Sequence, residues 1–143
     1  MLRASVARAC GGFDESLRYS EDWDLWLRLS RLTEFALLRW PPVLYRQHPV
    51  QGSRLPRSRD FRTELLQRHA RLHGLSSADG RSMDQRRFRS LLANYRFEFG
   101  YHHLQVGQRS VGVAALLDAW RMQPRRVKRL ALALAGALGW RPR

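Results

Sequence analysis

The chain has 143 residues, of which 44% are hydrophobic and 27% charged, a balance typical of one ordinary globular domain. We expect neither a signal peptide nor a transmembrane segment, because arginines interrupt the first ten residues and no apolar run approaches the roughly 20 residues that cross a bilayer. The formal net charge of +14 predicts a strongly positive surface, and Cys10, the single cysteine, excludes a disulfide or a cysteine-based metal site.

The first predicted helix begins after Ser20. Serine is a favoured N-cap residue, and the acids that follow it, Glu21 and Asp22, complement the positive end of a helix dipole. The run from Trp23 to Leu32 contains no helix breaker, and its apolar residues surround the helix almost completely. This distribution predicts a helix that is buried on more than one side.

Two short β-strands are predicted after this helix, at residues 34–39 and 43–47. Prolines end the first stretch and hold the second in an extended conformation, because a residue that precedes proline disfavours helical angles. Residues 51–59 are polar, basic and interrupted by Gly52 and Pro56, which indicates a surface loop.

The remainder of the chain shows the apolar period of helices. Four are predicted, with Ser58 and a capping box of Ser82 and Gln85 as start signals, and with Gly74 and Pro124 as stop signals. The predicted fold class is therefore an α/β part over residues 1–57, a buried helix plus short strands, followed by an all-helical tail over residues 58–143.

Three short motifs in the first part decide the functional interpretation. They are GGFDE at residues 11–15, EDWDLWLRL at residues 21–29 and YRQH at residues 45–48. In this order and spacing they resemble the C-terminal, acceptor-side part of family 2 glycosyltransferases of the GT-A fold. The resemblance covers about residues 2–53, and each motif alone would be a weak signal.

The resemblance implies an activity of the hexosyltransferase type: transfer of a sugar from a nucleotide sugar to a saccharide or lipid-linked acceptor, with inversion at the anomeric carbon. A complete member of the family uses a divalent metal, Mg²⁺ or Mn²⁺, and begins with a donor half of alternating strands and helices. Because Met1 falls just before the GGFDE motif, we expect that half to be missing and the isolated chain to be inactive.

The residue types fit the chemistry of glycosyl transfer. The reaction needs a base for the acceptor proton and positive charge for the departing diphosphate. A carboxylate in the first turn of a buried helix has a fixed direction, so Asp22 is the predicted base, with Glu21 beside it; the resemblance implies the same role. The alternative for both acids is simple complementation of the helix dipole.

The other candidate residues surround the two remaining motifs. Glycines permit a tight loop that would bring its neighbours towards an acceptor, although a plain turn explains them equally well. An imidazole before proline suits a metal or a diphosphate, and a guanidinium suits a diphosphate; the alternative is a pair of surface residues. The candidates are Gly12, Phe13, Asp14 and Trp23 for the acceptor, and His48 and Arg46 for metal or diphosphate.

A non-catalytic basic helical module is the competing hypothesis. Arg125, Arg126, Lys128 and Arg129 precede an apolar run that extends to Trp140, a pattern suited to an anionic membrane surface. A terminal helix packed on its neighbour explains the same pattern. The arginines are scattered over all segments, which argues against nucleic acid as the partner. The expected location is the cytoplasm, with peripheral contact at the inner face of the cell membrane.

Overall fold

The computed structural model describes residues 2–41, 43–46, 56–77 and 79–142, and these form six α-helices. The chain divides into two compact units, one with Met1–Arg57 and Ser76–Ser82, the other with Ser58–Leu75 and Met83–Arg143. The helices are α1 (Ala4–Ala9), α2 (Glu21–Leu29), α3 (Phe61–His73), α4 (Gln85–Gln105), α5 (Arg109–Met122) and α6 (Val127–Ala137).

The predicted α/β fold class is wrong, because the described residues form no β-strand. Residues 34–39 and 43–46 lack regular structure, and their apolar side chains Leu37 and Leu44 are 90% and 98% exposed. A strand is stable only when its backbone groups pair with a neighbouring strand, and an isolated antiparallel bridge between Ser76 and Ser82 is the one pairing that the described residues contain. Without a partner, apolar residues in an extended sequence pattern remain open to water.

Helix α2 forms where the sequence predicts a helix, but it is buried on one side instead of several. It begins at Glu21 and ends at Leu29, and it buries Asp24, Leu25 and Leu29. Trp26 on the same helix is 51% exposed. Ser20 precedes the helix with a left-handed φ of 63°, and its side chain makes no capping bond.

Aspartates cap two helices of the second unit. The Asp60 carboxylate accepts the Thr63 N–H at 3.2 Å at the start of α3, and the Asp84 carboxylate accepts the Arg87 N–H at 2.9 Å at the start of α4. The start signals predicted at Ser58 and Ser82 are therefore two residues early. A carboxylate suits this position because it accepts a backbone N–H of the first turn and its charge complements the helix dipole.

Small residues allow α4 and α5 to approach closely. A Cβ atom placed on Gly100 of α4 would lie 2.9 Å from the Gly112 carbonyl oxygen of α5 and 3.0 Å from the Leu116 nitrogen. The core of the unit, Leu104, Leu116 and Ala133, forms beside this approach and is fully buried. Glycine at the contact lowers the helix propensity, but it allows the two helix backbones to pack closely.

Arg129 lies in the interior, although the membrane hypothesis counted it among the basic residues of the surface. It is 6% exposed, and its guanidinium donates to Asn94 Oδ1 at 2.6 Å and to the Ala119 carbonyl at 3.1 Å. Burial, with the nearby charge of Arg126 as a smaller cause, lowers the pKa of Arg129. The inner side of α6 therefore contains a buried cation, held by polar groups of α4 and α5.

Candidate functional site

The two glycines of the GGFDE motif terminate α1 in a defined reversal of the chain. The Gly11 N–H donates to the Arg8 carbonyl and the Gly12 N–H to the Ala7 carbonyl, both at 3.0 Å, and Gly11 has a left-handed φ of 83°. This pair of bonds is a Schellman motif, in which glycine fits because a side chain disfavours the left-handed conformation. The glycines thus act first as a helix stop.

The acidic end of the loop makes its own turn. Asp14 Oδ1 accepts the Ser16 N–H at 3.0 Å and the Ser16 hydroxyl at 2.6 Å. Bonds of this kind from an aspartate to the residue two positions later fix a local turn. Phe13, just before it, is 59% exposed, so the loop presents an aromatic ring beside a fixed carboxylate.

Arg28 connects this loop to α2. Its guanidinium donates to the carbonyl oxygens of Cys10 and Gly12, the latter at 2.7 Å. The same group donates through Nε to Asp24 Oδ2 at 2.7 Å, an ion pair one helical turn apart on α2. We refer to Asp24, Arg28 and the two carbonyl groups as the loop clamp.

The loop clamp is the feature that the motif reading missed. The motifs alone assign no role to Asp24 or Arg28. The spacing of four residues between an acid and an arginine on one helix is a recognisable pairing signal. Its continuation to the carbonyls of residues 10 and 12 depends on the tertiary structure.

The two predicted catalytic acids lie outside the loop clamp. Glu21 and Asp22 are exposed in the first turn of α2, and Asp22 Oδ1 accepts the Trp23 N–H at 2.8 Å. Trp23 itself is half-buried. An exposed carboxylate is accessible to an acceptor hydroxyl, and it also fits the simpler function of a dipole partner for the helix.

The structure describes one of the two residues predicted for metal or diphosphate. Arg46 is exposed in an irregular segment, and His48 lies outside the described residues. Within the described ranges, no three side chains of His, Cys, Asp or Glu are grouped so that they could hold a metal ion.

A polar cleft of about 430 Å³ in the second unit is another candidate site. Arg96 contacts Asp118 at 3.0 Å and Asp60 at 3.7 Å, and Arg121 contacts Asp118 at 2.9 Å. The acids and the arginines of the cleft thus largely neutralise one another. Thr63 Oγ1 and Asp60 Oδ2 are buried there without a hydrogen bond. Because these charges balance, the cleft favours neither an anionic nor a cationic ligand.

Comparison of the chain with protein families, with curated proteins and with solved structures finds no match. Among the described residues, no helix combines the length and the apolar character that spanning a membrane requires.

Proposed function

We infer that the first unit supplies the acceptor side of a glycosyltransferase that resembles family 2. The proposal rests on the three motifs, and its single structural support is the loop clamp. Arg28 of the second motif is bonded to the Cys10 and Gly12 carbonyls at the start of the first motif. Residues that are 16 and 18 positions apart thus form one local arrangement, which a chance match of short motifs does not require.

In this proposal Asp22 accepts the proton of the acceptor hydroxyl. Its carboxylate is exposed, while that of Asp24 is occupied by Arg28, so Asp22 is the better placed base. Phe13 and Asp14, which the loop clamp holds near α2, and Trp23 would contact the acceptor, a saccharide or a lipid-linked saccharide. Glu21 would adjust the charge of the same turn.

In this proposal the nucleotide sugar binds to the donor half of the enzyme, the part made of alternating strands and helices. Mg²⁺ or Mn²⁺ would neutralise the diphosphate there, and Arg46 and His48 would contribute from this chain to the metal or the diphosphate. A net charge of +14 favours the anionic inner face of the cell membrane, and we propose a cytoplasmic, peripheral location on that ground.

The proposal is tested by joining the chain to the nucleotide-sugar-binding half of a family 2 enzyme and measuring release of nucleoside diphosphate. Asp22→Asn keeps the shape of the side chain but removes the base, so turnover should fall about 10²- to 10⁴-fold while donor binding is kept. Glu21→Gln should cost less. Glu34→Gln, an exposed acid in the same unit, is the matched control and should leave turnover unchanged.

Two results would contradict the proposal. If Asp22→Asn retained turnover while Glu21→Gln abolished it, the base would be Glu21. If neither substitution lowered turnover below that of Glu34→Gln, the acids would serve only the helix dipole, and the catalytic interpretation would be wrong.

A further inference from the structure

Helix α6 presents an apolar stripe to solvent in addition to its packed side. Its packed side contains small residues: Ala133 is fully buried, and a Cβ atom on Gly136 would lie 2.9 Å from Leu104 Cδ1. On the opposite side, Val127, Leu134 and Leu138 are 68%, 55% and 89% exposed. We call these three residues the outer stripe.

The outer stripe is continuous along the helix. Leu134 and Leu138 follow Val127 by seven and eleven residues, which at about 3.6 residues per turn are close to two and three complete turns. The exposed Ala131 lies between them on the same side. A row of large apolar side chains in water is unfavourable in proportion to its area, so a partner that covers it gains binding energy.

Three cations stand at the N-terminal end of this stripe. Arg125, Arg126 and Lys128 are exposed, and none has an acidic partner among the described residues. The first turn of α6 contains no acid. Cations at a helix N-terminus oppose the helix dipole, so their position does not stabilise α6. An external anion would satisfy them.

We propose that the outer stripe and the three cations dock the helical unit on an anionic lipid bilayer. A helix with an apolar side and adjacent basic residues lies in the plane of the membrane interface, with its apolar side at the boundary of headgroups and acyl chains. Trp140, 44% exposed just beyond α6, suits the headgroup level. The inference draws only on the second unit and does not rest on the glycosyltransferase proposal.

Other occupants satisfy only part of this surface. A second copy of the chain would cover the leucines but would bring together two bodies that each have a net charge of +14. A nucleic acid would neutralise the cations but would leave the leucines in water. An anionic bilayer supplies both an apolar phase and negative charge.

The test uses the full chain in sedimentation with vesicles. One set contains phosphatidylcholine alone, and the other contains equal parts of phosphatidylcholine and phosphatidylglycerol. We expect binding to the anionic set that weakens with added salt. Leu134→Gln with Leu138→Gln should weaken binding about 100-fold, because each leucine contributes roughly a factor of ten. Gln at Arg125, Arg126 and Lys128 should also cost about 100-fold, at roughly fivefold per charge.

Matched controls separate the surface from general stickiness and from charge. Leu72→Gln removes a leucine of α3 that is 65% exposed, and Gln at Arg71, Arg86 and Arg87 removes three exposed cations elsewhere in the same unit. Both controls should bind the anionic vesicles nearly as the unchanged chain does. Circular dichroism of all variants should be superimposable, because every substituted side chain is exposed.

Four results would overturn the proposal. The outer-stripe variant could bind anionic vesicles as tightly as the unchanged chain, and binding would then depend on charge without the apolar stripe. The basic control could lose as much binding as the variant at the three cations. Sedimentation without lipid could show a dimer that the outer-stripe variant abolishes, and the partner would then be a second copy of the chain. Duplex DNA could bind more tightly than vesicles, and the partner would then be a nucleic acid.

Discussion

Removal of the Arg28 guanidinium is expected to release the GGFDE loop from α2. Arg28→Met keeps the length and the apolar stem of the side chain but leaves Asp24 and the carbonyls of Cys10 and Gly12 without their donor. The Asp24 side chain is 12% exposed and that of Arg28 is 26% exposed, so water replaces only part of the lost bonds. A hydrogen bond to a charged group contributes about 1.5–3 kcal/mol, and after allowance for partial exposure we expect a local loss of about 2–3 kcal/mol.

Hydrogen exchange measures this loss at the loop itself. The amides of Gly11 and Gly12 are bonded to Arg8 and Ala7, and they exchange when the reversal opens. When exchange proceeds through local opening, a loss of 2–3 kcal/mol corresponds to roughly 30- to 150-fold faster exchange of a peptide over residues 7–14. Protection in α4 and α5 should not change.

Arg31→Met is the matched control for this prediction. Arg31 is also an arginine in the first unit, but it is exposed and donates to the Ser76 carbonyl at 2.7 Å. Its replacement should leave exchange at Gly11 and Gly12 unchanged. Equal exchange at these amides in Arg28→Met and in the unchanged chain would refute the loop clamp.

A double-mutant cycle isolates the ion pair within the loop clamp. Arg28→Met leaves the largely buried Asp24 carboxylate without its cation, whereas Asp24→Asn combined with Arg28→Met leaves a neutral amide. The double variant should therefore lose less than the sum of the single variants, by about 0.5–3 kcal/mol. Additive losses would show that the two side chains act separately.

Three further predictions concern the helical unit, each measured by thermal or urea unfolding. Gly100→Ala should destabilise by about 1–2 kcal/mol, because overpacking against the α5 backbone exceeds the gain in helix propensity. Gly136→Ala meets side-chain methyl groups of Leu104 and Val113 instead of backbone atoms and should cost less, because side chains adjust more easily than a helix backbone. The reverse order of the two losses would contradict the backbone contact at Gly100. Asp84→Ala should lower the free energy of unfolding by about 0.5–2 kcal/mol, because the N-cap bond is lost. Asp84→Asn should retain most of the stabilisation, because an amide oxygen also accepts the N–H. Arg129→Ala should cost about 2–4 kcal/mol by leaving Asn94 and a carbonyl unsatisfied, and a neutral result would mean that water replaces the guanidinium.

The hydrophobic pattern indicated helices in the tail because helical periodicity is a local property. Gly74 directly follows the end of α3, and Pro124 lies two residues after the end of α5. Glycine and proline are common at these positions after a helix. The sequence could not indicate which side of α6 packs inward. The apolar run of α6 includes the large side chains Leu134 and Leu138, but the interior takes Ala133 and Gly136 because α6 packs closely against Leu104. Volume at the contact, not hydrophobicity alone, decided the orientation.

In the first unit, too, the sequence indicated local features, and the tertiary structure determined the contacts between distant residues. The sequence alone indicated a helix after Ser20, a tight loop at the glycines of the GGFDE motif and carboxylates in the first turn of the helix, since each depends on residues within one or two turns. It also predicted two strands, and these fail because a strand depends on a partner that the local sequence does not specify. Only the tertiary structure joined Arg28 to the carbonyls of residues 10 and 12, because a bond across 16 to 18 residues depends on how the chain reverses between them.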